Sequence, residues 1–331
     1  MSLWTEQEKR AMSAICEALV APQSSTEDAL SQWSAEDSHL LERLEDAYSN
    51  IASDEEKQDL KLLLNSFERS LFNGMMGGIW KPISQMSITE RDTILQSWAN
   101  SRFELRRKAF QGIKRLALFL AYSNQPEREK HPAWETFSYS GPPGGGDEPR
   151  AIIPYEINDN RTLTCDVLVI GSGAGGGVVA GELSEAGYDV MVVEKGNYYA
   201  EEDFTGNELE ATENMFEKYG SLTTHDTAMV VLAGTLLGGG TTINWNASFR
   251  TPDTVLSEWA NTYGISDANT QVWQDSLDAV LKRSNVSCDE SHLNGNNAVL
   301  ERGLIKLGYH MDTIPRNVKG CEECGFCNYG C

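Results

Sequence analysis

The stretch that most constrains this chain is a short apolar run ending on spaced glycines, Cys165-Asp-Val-Leu-Val-Ile-Gly171-Ser-Gly173-Ala-Gly175-Gly176. A continuous aliphatic run of this length suits a parallel strand covered on both faces. Gly171 permits the tight turn, Gly173 lets backbone approach a pyrophosphate, and Gly176 lets a helix pack closely on the strand. The helix predicted over 178–187 then aims its N-terminal amides at the phosphates. Asp-Val-Met-Val-Val at 189–193 reads as a second strand ending on Glu194, 23 residues past Gly171. There a carboxylate accepts hydrogen bonds from both hydroxyls of an adenosine ribose and repels a 2′-phosphate. Strand, turn, helix, strand and acid in this order describe a dinucleotide-binding α/β unit, and they leave NAD and FAD both open.

A second glycine cluster, Ala233-Gly-Thr-Leu-Leu-Gly-Gly-Gly-Thr-Thr-Ile-Asn-Trp-Asn246, favours the flavin. Its backbone can lie flat against a ligand because glycine has no Cβ to collide. It ends in Asn244 and Trp245, whose side chains suit a planar heterocycle; a turn packed on the sheet is the plainer alternative.

Charge removes several functions from consideration. Among 331 residues, 49 Asp and Glu against 27 Lys and Arg give a net charge of -22, a field that repels nucleic acid. No run of 18 apolar residues suggests a membrane span. The first thirty residues lack a basic segment followed by an apolar one, so an intracellular, non-secreted location is expected. The seven cysteines are odd in number and unlike a secreted disulfide framework.

Residues 1–123 read as an all-helical region. Thr5 with Glu8, Ser53 with Glu56 and Ser87 with Glu90 have capping-box spacing. Leu60, Leu63, Leu64, Phe67 and Leu71 make one helical stripe, with a break expected at Asn73-Gly74. Phe103, Phe110, Ile113, Ala117 and Leu120 form another stripe among Arg102, Arg106, Arg107, Lys108, Lys114 and Arg115. A basic amphipathic helix over 102–121 can lie on an anionic membrane or pack on the bundle with its charges solvated. A Pro- and Gly-rich linker is expected over 124–160, including Pro126, Pro132 and Gly141 to Gly146. The nucleotide-binding domain follows over 161–331, with the fold class α/β, a doubly wound Rossmann-type sheet.

GSGAGGG (171–177) with EKGN (194–197), EDF (202–204), LAGTLLGGGTTINW (232–245), RTP (250–252), EWA (258–260) and CGFCNYGC (324–331) together resemble the glucose-methanol-choline flavoprotein oxidoreductases, and among them the long-chain alcohol oxidases. The resemblance implies FAD as cofactor, a long-chain primary alcohol as substrate, oxygen as acceptor, and aldehyde and hydrogen peroxide as products. By it, Gly171, Gly173 and Gly176, with Gly175 between them, meet the FAD pyrophosphate. Glu194 meets the ribose, and Gly239, Gly240, Thr241 and Asn244 line the approach to the flavin. Such enzymes carry their catalytic histidine far downstream of this stretch. No catalytic role is therefore placed on His39, His131, His225, His292 or His310, and the chain is expected to be a fragment that forms part of the FAD site without turning over alone.

Cys321-x2-Cys324-x2-Cys327-x3-Cys331 has the spacing of a ferredoxin run. Three readings follow: an iron–sulfur cluster relaying electrons to a carrier, a structural zinc, or, as the resemblance favours, a metal-free loop near the flavin. A nucleotide-binding remnant without catalysis is the alternative from outside enzymology.

Overall fold

The computed structural model describes all residues except 1, 21–32, 124–129, 132, 133, 135, 158 and 225–227. Pro126, Pro132 and His225 therefore lie outside the described residues. Six helices come first: α1 Glu6–Leu19, α2 Leu40–Ile51, α3 Asp54–Phe67, α4 Ser70–Gly77, α5 Ile88–Ala99 and α6 Glu104–Tyr122. The predicted capping boxes at Thr5, Ser53 and Ser87 are all present. At the first, Thr5 N donates to Glu8 Oε2 at 2.8 Å, while Glu8 N donates to Thr5 Oγ1 at 3.3 Å. Glu8 also reaches across to accept from Asn65 Nδ2 at 2.7 Å, so the cap joins α1 to α3. Thr5→Ala is expected to cost about 1 kcal/mol in a urea melt, the usual worth of a hydroxyl cap.

These helices enclose one large core. Met12, Ile15, Leu40, Leu44, Leu64, Phe67, Ile83 and Ile94 are buried in it. The Leu60–Leu71 stripe is interrupted earlier than expected. Phe67 ends α3 and Arg69 caps α4, which turns Leu71 out to 63% exposure. The reason lies in Asn73, which is buried. Its Nδ2 donates to Phe67 O at 2.6 Å, satisfying a carbonyl at the end of α3, and to Lys81 O at 2.8 Å in the loop after α4.

The stripe on α6 also has a different fate. Ile113, Ala117 and Leu120 are buried in the core, and Phe110 packs against it. Most of this stripe therefore packs on the bundle, as the second reading of the 102–121 helix has it, while Phe103 stays 48% exposed. The basic residues are held locally. Arg102 and Arg106 stack over the Phe103 ring, Lys108 pairs with Glu104 at 2.9 Å, and Arg107 donates to Ser101 O at 2.6 Å.

The predicted linker is fastened along part of its length. Gly144 N donates to Thr205 O at 3.2 Å, and Gly146 N to Glu201 O at 3.0 Å. Arg150 binds Glu202 Oε1 at 2.7 Å and Asp203 Oδ2 at 2.9 Å. A Cβ on Gly145 would stand 2.0 Å from Glu202 O, so only glycine allows this strap to lie so close.

Beyond it, β1 Val167–Ile170 and β2 Val190–Val193 pair in parallel, Val167 with Val190 through Ile170 with Val193, and are joined by α7 Ala174–Glu185. α8 Glu208–Met215, α9 Asp253–Asn261, α10 Gln271–Arg283 and α11 Gly295–Lys306 follow, with a short antiparallel pair β3 Val286–Ser287 and β4 Arg316–Asn317. Among the described residues the parallel sheet has two strands and one crossover helix, where a doubly wound sheet was expected. Ile170 is 83% exposed and Leu168 52%, so the aliphatic run is not covered on both faces here. A second small core of Ala211, Met215, Phe216, Leu236 and Ile243 sits under the later glycine cluster.

Candidate functional site

The turn after β1 is built as the sequence predicts. Gly171 has φ +92° and donates its amide to Val193 O at 2.8 Å, locking the turn to β2. Gly173 caps α7, which begins at Ala174 and so takes Gly175 and Gly176 into its first turn, ahead of the predicted start. A Cβ on Gly176 would lie 1.9 Å from Gly171 O. At Gly173 it would meet only Gly239 Cα at 4.0 Å, and at Gly175 and Gly240 nothing within 4 Å. Gly176 is thus required by the protein's own packing, whereas open space lies before Gly173, Gly175 and Gly240. That space is a cradle lined with backbone at a helix N-terminus, a setting for phosphate oxygens.

Glu194 closes the turn. Its Oε2 accepts from Ser172 N at 2.8 Å and Ser172 Oγ at 2.5 Å; its Oε1 accepts from Lys195 N at 2.7 Å and Gly196 N at 3.1 Å. Burial pushes this carboxyl up, but the Ser172 hydroxyl and the Ser172, Gly196 and Lys195 amides outweigh burial and hold it at about 2. These four donors fill the acceptor positions of a carboxylate. The Ser172 hydroxyl is the one that can rotate away without moving backbone.

Ser172 also joins the two glycine clusters, because its Oγ accepts from Gly238 N at 2.9 Å. Asn197 and Leu236 form a parallel bridge, and Leu237 N donates to Asn197 O at 2.9 Å. A Cβ on Gly239 would come 3.0 Å from Gly173 Cα. The structure therefore brings Gly171, Gly173, Gly176, Glu194 and Gly239 to one place. Thr241 Oγ1 donates to Gly238 O. Asn244 is turned to its own loop, donating to Thr241 O at 3.2 Å and accepting from Asn246 N at 2.5 Å.

Ser172, Gly196 and Gly238 are structural members of this site that motif spacing leaves without a role. Gly196 is the tightest of them. A Cβ there would stand 1.9 Å from Thr235 O and 2.2 Å from Thr235 C. The signal for Gly196 was its place two residues past the ribose acid, and for Ser172 its place inside the fingerprint.

The folded-state value of Glu194 fixes the sign of a pH effect. A carboxyl held at about 2, against its ordinary 4.5, adds stability that is complete above 4.5 and lost as pH falls toward 2. Glu194→Gln is expected to remove that part of the acid-unfolding profile. It should also weaken FAD binding about tenfold in a fluorescence titration, the worth of one charge-assisted bond.

The cysteine run is not assembled as a metal centre. Among the described residues no three His, Cys, Asp or Glu side chains converge to hold a metal ion. The Arg316 guanidinium donates to Cys321 Sγ at 3.4 Å, placing a positive charge where a cation would sit. Burial, then the neighbouring Cys327, Cys324 and Cys321, raise the Cys331 thiol. The four are free thiols, and the iron–sulfur and zinc readings find no formed site at Cys321, Cys324, Cys327 and Cys331. None of the described histidines takes part in the glycine site; His131, for example, is buried against Ala121 O at 3.2 Å.

Comparison with known proteins agrees with this geometry. Residues 164–212 match an FAD binding domain family, and residues 212–331 match the GMC oxidoreductase family. The chain is 34% identical over 291 residues to long-chain-alcohol oxidase FAO4A of Arabidopsis thaliana, covering 73% of this chain and 40% of that one. It is 35% identical over 285 residues to FAO4B of the same plant, covering 75% and 38%. An uncharacterized GMC-type oxidoreductase of Mycobacterium tuberculosis is 31% identical over 177 residues, 52% of this chain and 28% of its own. The chain thus spans about two fifths of the length of the plant relatives it matches.

Proposed function

The chain belongs to the GMC oxidoreductase family through residues 212–331, and from that premise we propose that it forms the FAD-binding part of an oxidase that converts long-chain primary alcohols to aldehydes. Bound there, FAD would supply the hydride-accepting chemistry of such an oxidase, with oxygen as the final acceptor and hydrogen peroxide as the second product. The chain's own residues bind and orient. The α7 N-terminus and the backbone from Gly171 to Gly176 receive the pyrophosphate, and Gly239, Gly240 and Thr241 receive the segment leading to the flavin ring. Glu194 accepts from the ribose hydroxyls once the Ser172 hydroxyl swings off Oε2, and its negative charge selects a ribose without a 2′-phosphate. The parallel pair is read as the first piece of a doubly wound Rossmann sheet.

One observation carries this reading: Ser172 Oγ bonds Glu194 and Gly238 together, so the ribose acid and the second glycine cluster are parts of one cradle. The plant relatives named as long-chain-alcohol oxidases support the substrate class. Titration of the purified chain with FAD, read by flavin absorbance and calorimetry, tests the reading. Saturable binding with a bound-flavin spectrum is expected, and NAD should not compete. Colourless protein that takes up no FAD overturns it.

A further inference from the structure

The side chain of Ser172 has two partners inside the glycine site. Its Oγ donates to Glu194 Oε2 at 2.5 Å and accepts from Gly238 N at 2.9 Å. A hydroxyl has a single proton to give, so this one is spent on the carboxylate. Glu194 is fully engaged in turn, since Ser172 N, Lys195 N and Gly196 N donate to it at 2.8, 2.7 and 3.1 Å. A carboxylate has about four acceptor positions, and a further donor enters only where one of these leaves.

The three amides are held by the chain itself. Gly196, for one, is pinned where a Cβ would stand 1.9 Å from Thr235 O. Ser172 Oγ needs only a rotation about χ1, and that rotation carries the oxygen off Glu194 and off Gly238 N together. An anionic acceptor and an amide donor are thus uncovered in one step, next to Gly173, where a Cβ would meet only Gly239 Cα at 4.0 Å. The second glycine cluster keeps its place meanwhile, because Asn197 bridges Leu236 and Leu237 N donates to Asn197 O at 2.9 Å. A vicinal diol has the matching pattern: its hydroxyls donate to the carboxylate, and an oxygen of the same ligand accepts from the amide.

We propose that the Ser172 hydroxyl is an internal competitor for the adenosine ribose, holding the Glu194 acceptor and the Gly238 donor until the ribose diol displaces it. Ser172 is then a specificity-determining residue, because it sets how much the diol adds to binding. The assignment rests on the reading of the cradle as an FAD site and goes beyond it, since an FAD site needs no such competitor.

Calorimetric titration of the full chain with FAD, ADP and 2′,3′-dideoxy-ADP tests the assignment. In the wild type the diol replaces a bond already made, so ADP should bind no more than about tenfold tighter than dideoxy-ADP. Ser172→Ala should raise that ratio about tenfold by tightening ADP, and FAD should tighten with it. Ser172→Thr keeps a hydroxyl and should return the wild-type ratio. The ligand-free Ser172→Ala chain should melt below the wild type, because Glu194 and Gly238 each lose a partner. A serine with a structural role alone would couple that lower melting temperature to weaker ADP binding, so the sign of the change separates the two. A larger wild-type preference for ADP overturns the proposal without recourse to any variant. So does a ratio that fails to rise in Ser172→Ala. FAD binding with that ratio unmoved defeats the competitor alone, whereas a wild-type chain that takes up neither FAD nor ADP defeats the reading of the cradle.

Discussion

Gly176→Val should weaken FAD binding by about a hundredfold or more, measured by flavin fluorescence titration. Even the first carbon of the new side chain would stand 1.9 Å from Gly171 O and 3.3 Å from Val169 Cγ1. Neither neighbour can yield at small cost. Gly171 is held in its left-handed conformation by the bond to Val193 O, and Val169 is the buried residue of β1. The helix must therefore lift off the strand, carrying its N-terminal amides away from the phosphates. Overpacking of this kind costs roughly 1–3 kcal/mol or more, and the upper end of that range corresponds to a factor of about 150. Gly303→Ala, on α11 and away from the cradle, is the control. Its Cβ meets nothing within 4 Å, and alanine suits a helix better than glycine, so binding and melting temperature should hold or improve. Equal binding by Gly176→Val and the wild type would show that the turn does not carry the cofactor.

Gly196→Ala should do comparable harm by a different route. Its Cβ would lie 1.9 Å from Thr235 O, 2.2 Å from Thr235 C and 2.5 Å from Leu236 N, all of them backbone atoms with no rotamer to change. The Asn197–Leu236 bridge and the bond from Leu237 N to Asn197 O would part, and with them the alignment of Gly238 with Ser172. A loss of about 3 kcal/mol in chemical denaturation is expected, together with weakened FAD binding. A variant that melts and binds like the wild type would mean that the two glycine clusters do not need each other.

The contrast between these glycines explains what could be read from the sequence. Gly171 and Gly176 answer to a rule of short range, since turn and helix start are made by residues a few positions apart. The caps at Thr5, Ser53 and Ser87 were legible for the same reason. Gly196 is needed because of Thr235, and Ser172 bonds Gly238; both partners come from a distant stretch whose approach has no local signature. On α6 periodicity identified the apolar face without naming what covers it, so bundle and membrane both stayed open until the core placed Ile113, Ala117 and Leu120. Leu71 continued a stripe by spacing alone, but α3 ends at Phe67, whose carbonyl accepts from the buried Asn73 of α4. In the cysteine run, spacing suggested a ligand set, whereas the fold put the Arg316 guanidinium on Cys321.

The strap over 144–150 has a consequence for how the polypeptide withstands cutting. Just after it the chain runs without regular structure through Ile153, Tyr155 and Ile157, which are 93%, 66% and 62% exposed, the kind of segment that a protease engages first. A nick there falls on the far side of an attachment already made, since Gly144, Gly146 and Arg150 grip residues 201–205 from the upstream piece. The two pieces stay clasped after scission, and the helical layer remains seated on the nucleotide-binding unit although no peptide bond joins them.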